Sequence, residues 1–224
     1  MKARRPERDR KASSMSAISE EVIGREVEAE ASAEVIRNLP WDASRGTWGM
    51  WLFILSEVWI FLGLLFAYYY MAYHAVSWPP EKAPSLTIPY IITGVLIASC
   101  VILEVGRRAL MGGNRAAAKI ALAIGLLAGA VYIWLEVASF REYLGVVTPQ
   151  QDSYGSIYYT IFTVHGAHLV IGMLLFIYAL LVPLEPTARA PYRAYYNTAL
   201  YWYFATFTWI LIFCVVDVPP HIYR

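Results

Sequence analysis

Long apolar runs separated by short polar connections occupy most of this chain. Four runs meet the roughly 20 helical residues that cross the hydrocarbon of a membrane, and the second reaches that length only when Glu104 and Val105 are included. The runs are too long for barrel strands and lack their alternation. The pattern therefore predicts an all-α integral membrane protein, a bundle of five transmembrane helices. The runs lie near Trp48–Tyr73, Ile88–Leu103, Ile120–Ser139, Tyr154–Val182 and Tyr195–Val218.

Helix-ending residues mark the connections, and they limit the predicted helices to about residues 48–73, 88–105, 118–140, 154–182 and 195–218. The connections contain Trp78-Pro79-Pro80, Gly112-Gly113-Asn114, Thr148-Pro149 and the prolines at 183, 186 and 191. Tyr and Trp gather at the ends of the runs, as in the aromatic belts of membrane proteins. We therefore predict one transmembrane domain over residues 41–224.

Residues 1–40 are polar and are predicted to form a flexible cytoplasmic tail. The first 11 residues carry six basic side chains, and the segment that follows is acidic. A weak apolar stripe allows a short helix on a partner or on the bilayer surface. That stripe consists of Ile18, Val22, Ile23, Val35 and Ile36.

The basic residues predict the orientation of the bundle. With the N-terminus inside, the inner flanks hold eight Arg and Lys residues and the outer flanks hold three. The positive-inside rule therefore favours an inner N-terminus and an outer C-terminus.

Composition narrows the chemistry that this chain supports. Hydrophobic residues make up 58% of the chain, above the roughly 45–50% of soluble domains. The sequence has no Gly-rich phosphate loop, no Ser-His-Asp arrangement and no basic-aromatic face for nucleic acid. We therefore predict no catalytic residue and no nucleic-acid partner.

Glu57 is the most informative residue, because it is the one charged residue in the run from Trp48 to Tyr73. An ionised carboxylate at that depth is costly unless it is partnered, protonated or facing a cavity. At 1.5 Å per residue, Glu57, His165 and Tyr203 lie at similar depths, about 12–14 Å from the inner surface. We therefore expect Glu57 and His165 to approach each other in one polar layer. Glu104 and Glu136 fall near opposite surfaces, where water can reach them.

His165 and His168 form a His-Gly-Ala-His pair on one helix face. One interpretation is haem ligation, although the other histidines, His74 and His221, stand at run ends. A di-metal carboxylate site is a second, but it would need Glu-x-x-His motifs that are absent here. We favour a third, in which the imidazoles are hydrogen-bonded to Glu57, tyrosine or backbone and bind no metal.

The third run carries small residues at every fourth position: Ala117, Ala121, Gly125 and Gly129. Such a face lets a neighbouring helix approach closely. We predict that it packs against another helix.

Three stretches resemble subunit III of the haem-copper terminal oxidases, in its short five-helix branch. The first, from Gly49 to Phe61, resembles the family's Ser-Glu signature helix. The second, from Tyr154 to Gly172, is similar to its Gly-Ser helix ending in His-Gly-x-His-Val. The third, from Ala199 to Phe213, resembles its last helix. On the last helix, Tyr203 replaces the usual histidine and Thr206 the common aspartate. Before His165 the chain reads Phe162-Thr163-Val164 instead of the usual Thr-Gly-Phe.

The resemblance implies a non-catalytic subunit of a respiratory haem-copper oxidase, embedded in a bacterial or archaeal cell membrane. Haem and copper would belong to the catalytic subunit I beside it, and this chain would bind structural phospholipid and support proton uptake. The alternatives are an accessory subunit of a nitric oxide reductase and an independent haem or quinone redox protein using His165 and His168. We assign a lipid-binding or polar-layer role to Glu57, Trp59, Phe61, His165, His168, Tyr201, Trp202 and Tyr203.

Overall fold

The structure is a computed structural model that describes residues 22–24, 26–28, 30–31, 45–75, 78, 85–145, 147–150, 153–182 and 189–219. Within these residues the regular structure is helical, and five helices are long and apolar enough to cross a membrane. The predicted five-helix membrane fold is therefore confirmed, while its orientation stays a prediction. The helices are α1 (Arg45–His74), α2 (Thr87–Met111), α3 (Arg115–Leu144), α4 (Ser153–Leu181) and α5 (Arg189–Ile212).

Helix α2 extends to Met111, beyond the end expected near residue 105. Glu104 accepts hydrogen bonds from Arg107 at 2.8 Å and from Arg108 at 3.0 Å. Pairs three and four positions apart lie on one helix face and stabilise the turn that contains them. The charged residues that seemed to end this run therefore continue the helix.

A tight turn joins α2 to α3 and makes them an antiparallel hairpin. Gly113 adopts a φ of 82°, a left-handed conformation that glycine tolerates without strain. Asn114 then caps α3, because its side-chain oxygen accepts the Ala117 N–H at 3.0 Å. The Gly-Gly-Asn sequence thus ends one helix and starts the next.

The small-residue face of α3 serves two neighbouring helices. Ala121 faces α2 at Gly106, where any added Cβ would collide with it. Gly125 and Gly129 face α4, and a Cβ at Gly125 would lie 2.5 Å from the Phe176 ring. Ala117, at the start of the face, is half-buried. The predicted packing face is present, and it holds α3 close to both α2 and α4.

Helices α2 to α5 pack around a core whose largest fully buried side chains include Tyr132, Trp202 and Trp209. Helix α1 packs against α4 and α5. Many large apolar side chains point out of the bundle, for example Phe66, which is 72% exposed. An apolar exterior is the expected arrangement where the solvent is hydrocarbon.

Helix α5 ends in a wider π-helical turn over Phe213–Asp217, in which the Val218 N–H bonds to the Phe213 carbonyl at 3.1 Å. Such turns are rare and often stand at functional sites. Asp217, its last residue, is only 1% exposed. An acidic side chain is thus buried at this end of the bundle.

The described residues between 22 and 31 are helical, and Val22, Ile23 and Val27 among them are exposed. Helical structure is therefore present where the sequence allowed a short helix. Ile18, Val35 and Ile36 of that stripe lie outside the described residues, as does most of the predicted tail.

Candidate functional site

Glu57 on α1 pairs with His168 on α4. The Glu57 Oε2 to His168 Nε2 distance is 2.5 Å, and both side chains are buried. The expected partner, His165, lies one turn away and bonds to other groups. Helical depth alone indicated His165 as the partner of Glu57, but the face that α4 turns toward α1 brings His168 to it instead.

Hydrogen bonding makes the Glu57–His168 pair neutral overall. His168 Nδ1 lies 2.6 Å from the Val164 carbonyl, which can only accept, so Nδ1 carries a hydrogen. Either Glu57 is protonated and donates to a neutral imidazole, or a charged imidazole donates to an ionised Glu57. In both cases the two side chains share one proton and carry no net charge, which lowers the free-energy cost of burying an acid at this depth.

Aromatic side chains pack around the Glu57–His168 pair. Phe61, one turn after Glu57 on α1, packs edge-on against His168 at 4.8 Å and against His165 at 6.2 Å between ring centroids. Tyr201 on α5 donates its hydroxyl to the His168 carbonyl at 3.2 Å and is fully buried. Both residues belong to the predicted layer, and both contact His168.

His165 bridges α3 and α5. Its Nδ1 lies 2.9 Å from the Tyr132 hydroxyl and its Nε2 lies 3.1 Å from the Ala205 carbonyl. With His168 bonded to Glu57 and Val164, all four imidazole nitrogens are engaged. Haem ligation by either histidine would break one of these bonds, so the geometry favours the hydrogen-bonded polar layer.

The remaining predicted residues stand elsewhere. Trp59 is 69% exposed on the outer face of α1 and is not part of the polar layer. Trp202 is fully buried and donates its indole N–H to Ser99 at 2.9 Å. Tyr203 faces α2, where it lines a groove with Glu104 and others, instead of sharing the layer of Glu57. Neighbouring positions on α5 point to different helices, a difference that depth does not reveal.

Across the described residues, no group of three or more His, Cys, Asp and Glu side chains is placed to hold a metal ion. The polar groups at depth instead bond in pairs across helix interfaces. Their arrangement can hold protons and join helices.

A family model described as cytochrome c oxidase subunit III matches residues 21–218, which is most of the chain. The chain belongs to the cytochrome c oxidase subunit III family. Cytochrome c oxidase subunit 3 of Osphranter robustus is 30% identical over 175 residues, and that of Papio hamadryas is 29% identical over 178. Each alignment covers 74% of this chain and 66% of the relative, so the chain spans slightly less than two thirds of these relatives' length.

Sequence reasoning missed a second buried polar cluster in this subunit III homologue. Glu136 was expected near a surface within reach of water, but it is only 6% exposed. It lies on α3, which packs against both α2 and α4. Tyr132, one turn earlier on the same face, and Asp217, at the end of a long apolar run, are buried with it. The signal in the sequence was the spacing of Tyr132 and Glu136, which are four positions apart and therefore lie on one face of the helix.

A groove lies beside α2, between that helix and Tyr203 of α5. It has a volume of about 460 Å³ and is lined by Cys100, Val101, Glu104, Val105, Arg108 and Tyr203. Arg108 is largely exposed near the groove's charged end, and the Tyr203 hydroxyl has no hydrogen-bond partner in the described structure. The groove thus combines a basic side chain and a hydroxyl with the apolar side chains of Val101 and Val105.

Proposed function

We propose that this chain is a non-catalytic integral subunit of a respiratory haem-copper oxidase complex, which functions in aerobic electron transport and oxygen reduction. Family membership supports the proposal, and the buried Glu57–His168 bond carries it at the level of the site. That bond ties the peripheral α1 to the bundle, where a protein partner can be held in a fixed position. The chain's own part is to stabilise its partner.

The outer face of α1 supports contact with the catalytic subunit I or with other oxidase subunits. Trp59 is 69% exposed and Phe66 is 72% exposed on this helix. Large aromatic side chains are common at the centres of protein interfaces. Haem and copper would reside in subunit I, while this chain would contribute packing.

The groove at Arg108 supports a role in phospholipid binding, with the phosphate of the headgroup at the Arg108 guanidinium. The buried hydrogen bond between Glu57 and His168 supports a role in proton uptake, because one proton lies between these two side chains. Both roles follow the family resemblance and belong to the proposal. We place the protein in the cell membrane of a bacterium or archaeon, as the resemblance to the five-helix branch implies.

Purification of the tagged chain from its native membrane tests the main proposal. We expect a large subunit with haem and copper to co-purify in fixed stoichiometry and to reduce oxygen. Recovery of a functional isolated chain, with no large haem protein, would contradict the proposal.

The same purification separates the alternatives. A co-purifying nitric oxide reductase would assign the chain to that complex instead. An absorption spectrum of the pure chain tests the independent haem protein, which the engagement of all four imidazole nitrogens disfavours.

A further inference from the structure

A phenol and an imidazole are hydrogen-bonded to each other in the core of the bundle, in addition to the Glu57–His168 pair. The Tyr132 hydroxyl lies 2.9 Å from His165 Nδ1, and the two side chains are 1% and 0% exposed. An ionisable side chain buried within a membrane-spanning helix is costly to keep, and its partner indicates what it does. Here the partner of the phenol is a base.

The backbone determines which atoms of this pair carry hydrogen. The Ala205 carbonyl can only accept, so His165 Nε2, at 3.1 Å, donates to it. Nδ1 of the neutral imidazole then carries no hydrogen, and the Tyr132 hydroxyl donates to it. The phenol hydrogen is therefore directed at a base within hydrogen-bond distance, which is the geometry that proton transfer requires.

This arrangement makes the phenol easier to oxidise than a tyrosine without a base. A phenol that loses an electron becomes a strong acid, and an oxidised phenol that kept its proton in this core would be a buried, unpaired cation. His165 can take the proton, and its Nε2–H bond to Ala205 then becomes a stronger, charge-assisted hydrogen bond.

Other oxidisable rings extend from this pair to the end of the bundle at Trp78. Trp209 on α5 packs edge-on against the phenol ring at 5.3 Å between centroids, and it lies 5.8 Å from Phe162. Phe162 lies 4.5 Å from Tyr158, which stacks on Tyr154 at 5.9 Å. Trp78 is 4.9 Å from Tyr154. Indole and phenol rings lose an electron readily, so an electron can move stepwise along this line.

We propose that Tyr132 and His165 form a redox site, with Trp209 as the adjacent electron carrier. In the oxidation step Tyr132 gives one electron to a one-electron oxidant, its O–H bond breaks, and the proton forms an N–H bond with His165 Nδ1. The products are a neutral tyrosyl radical, a His165 imidazolium and the oxidant reduced by one electron. When an electron returns, the proton moves back to the phenol oxygen.

The oxidant belongs to the class of haem irons above the ferric state, which an oxygen-reducing partner subunit would supply. That assignment rests on the proposed function, whereas the redox site itself rests on this chain's own geometry. A test with an attached oxidant needs no partner subunit. Its failure would refute the redox site and leave the proposed function standing.

The test uses a ruthenium polypyridyl photosensitiser on Cys214, which is exposed in the π-helical turn that continues α5. The full chain is held in lipid nanodiscs, and Cys100→Ser restricts labelling to Cys214. A flash with an external electron acceptor produces ruthenium(III), the probe oxidant. We expect a tyrosyl radical, seen by transient absorption and electron paramagnetic resonance, that forms more slowly in D₂O.

Matched variants assign the radical to its residue. Tyr132→Phe should abolish it, whereas Tyr90→Phe should retain it, because Tyr90 is an exposed phenol that packs against Phe213 instead of a histidine. His165→Gln keeps a hydrogen-bond acceptor but not a base, so radical formation should slow by about 10²-fold. Trp209→Phe should also slow it.

Equal radical yields in Tyr132→Phe and Tyr90→Phe would overturn the redox site, and so would an unchanged rate in His165→Gln. An unchanged rate in Trp209→Phe would overturn the assigned electron carrier. If the core variants do not fold, the resonance spectrum of the labelled chain decides. A radical oxygen coupled to one exchangeable hydrogen supports the pair, and a radical without that coupling refutes it.

Discussion

His165 and His168 are one turn apart on α4, yet they bond to different helices. His168 meets Glu57 of α1 at 2.5 Å, and His165 meets Tyr132 of α3 at 2.9 Å. Together they join three helices through bonds that each involve an exchangeable proton. The His-Gly-Ala-His motif therefore acts as a two-sided connector within the bundle.

Replacing Glu57 should impair assembly and leave insertion intact. Glu57→Ala leaves the buried His168 Nε2 without its hydrogen-bond partner, at a cost of about 1–3 kcal/mol. Insertion should be equal or better, because an acid is removed from the membrane. The measurements are membrane-integrated chain, complex yield and activity over repeated turnovers.

Glu57→Gln is the informative control, since its amide can still donate to His168 Nε2. We expect its complex yield to lie well above that of the alanine variant. Unchanged assembly, lipid content and turnover in Glu57→Ala would remove the functional role assigned to this residue.

Gly125→Ala should destabilise the contact between α3 and α4. The added Cβ would lie 2.5 Å from Phe176, and overpacking of this kind costs about 1–3 kcal/mol. Thermal unfolding of the purified protein measures the loss. Gly94→Ala is the matched control, because no heavy atom lies within 4 Å of its added Cβ. Equal melting temperatures for the two variants would argue against close packing at Gly125.

Ser99→Ala should weaken the interface between α2 and α5. The variant removes the acceptor of the Trp202 indole N–H, now bonded at 2.9 Å. A buried donor left without a partner costs about 1–3 kcal/mol. Chemical or thermal unfolding reports the change, and Ser99→Thr, which keeps a hydroxyl, should recover part of it. An unchanged unfolding free energy in Ser99→Ala would show that the Trp202 indole N–H finds another acceptor.

Arg108→Gln should lower the phospholipid content of the purified protein. Its guanidinium is the exposed cation beside the groove at Tyr203, and glutamine cannot attract a phosphate. Lipid phosphorus per protein measures the change. Arg141→Gln removes an exposed cation from α3, away from the groove, and should have no effect. Equal lipid content in both variants would contradict a headgroup site at Arg108.

The sequence by itself determined the membrane fold, because helix length and hydropathy are local properties of the chain. Five apolar runs predict five spanning helices, and the spacing of Gly125 and Gly129 predicts a packing face. Glu57 is conspicuous from sequence as well, since an acid within an apolar run needs a neutralising neighbour. These inferences require no knowledge of which helices touch.

Tertiary structure alone decided the pairing of the polar residues. Glu57 bonds to His168 and not to His165, Tyr203 turns toward α2, and Glu136 is buried beneath neighbouring helices. Depth along a helix follows from 1.5 Å per residue, but the direction of a side chain depends on how each helix is rotated against its neighbours. That rotation is set by contacts between distant segments, such as Gly125 against Phe176, which no local pattern contains.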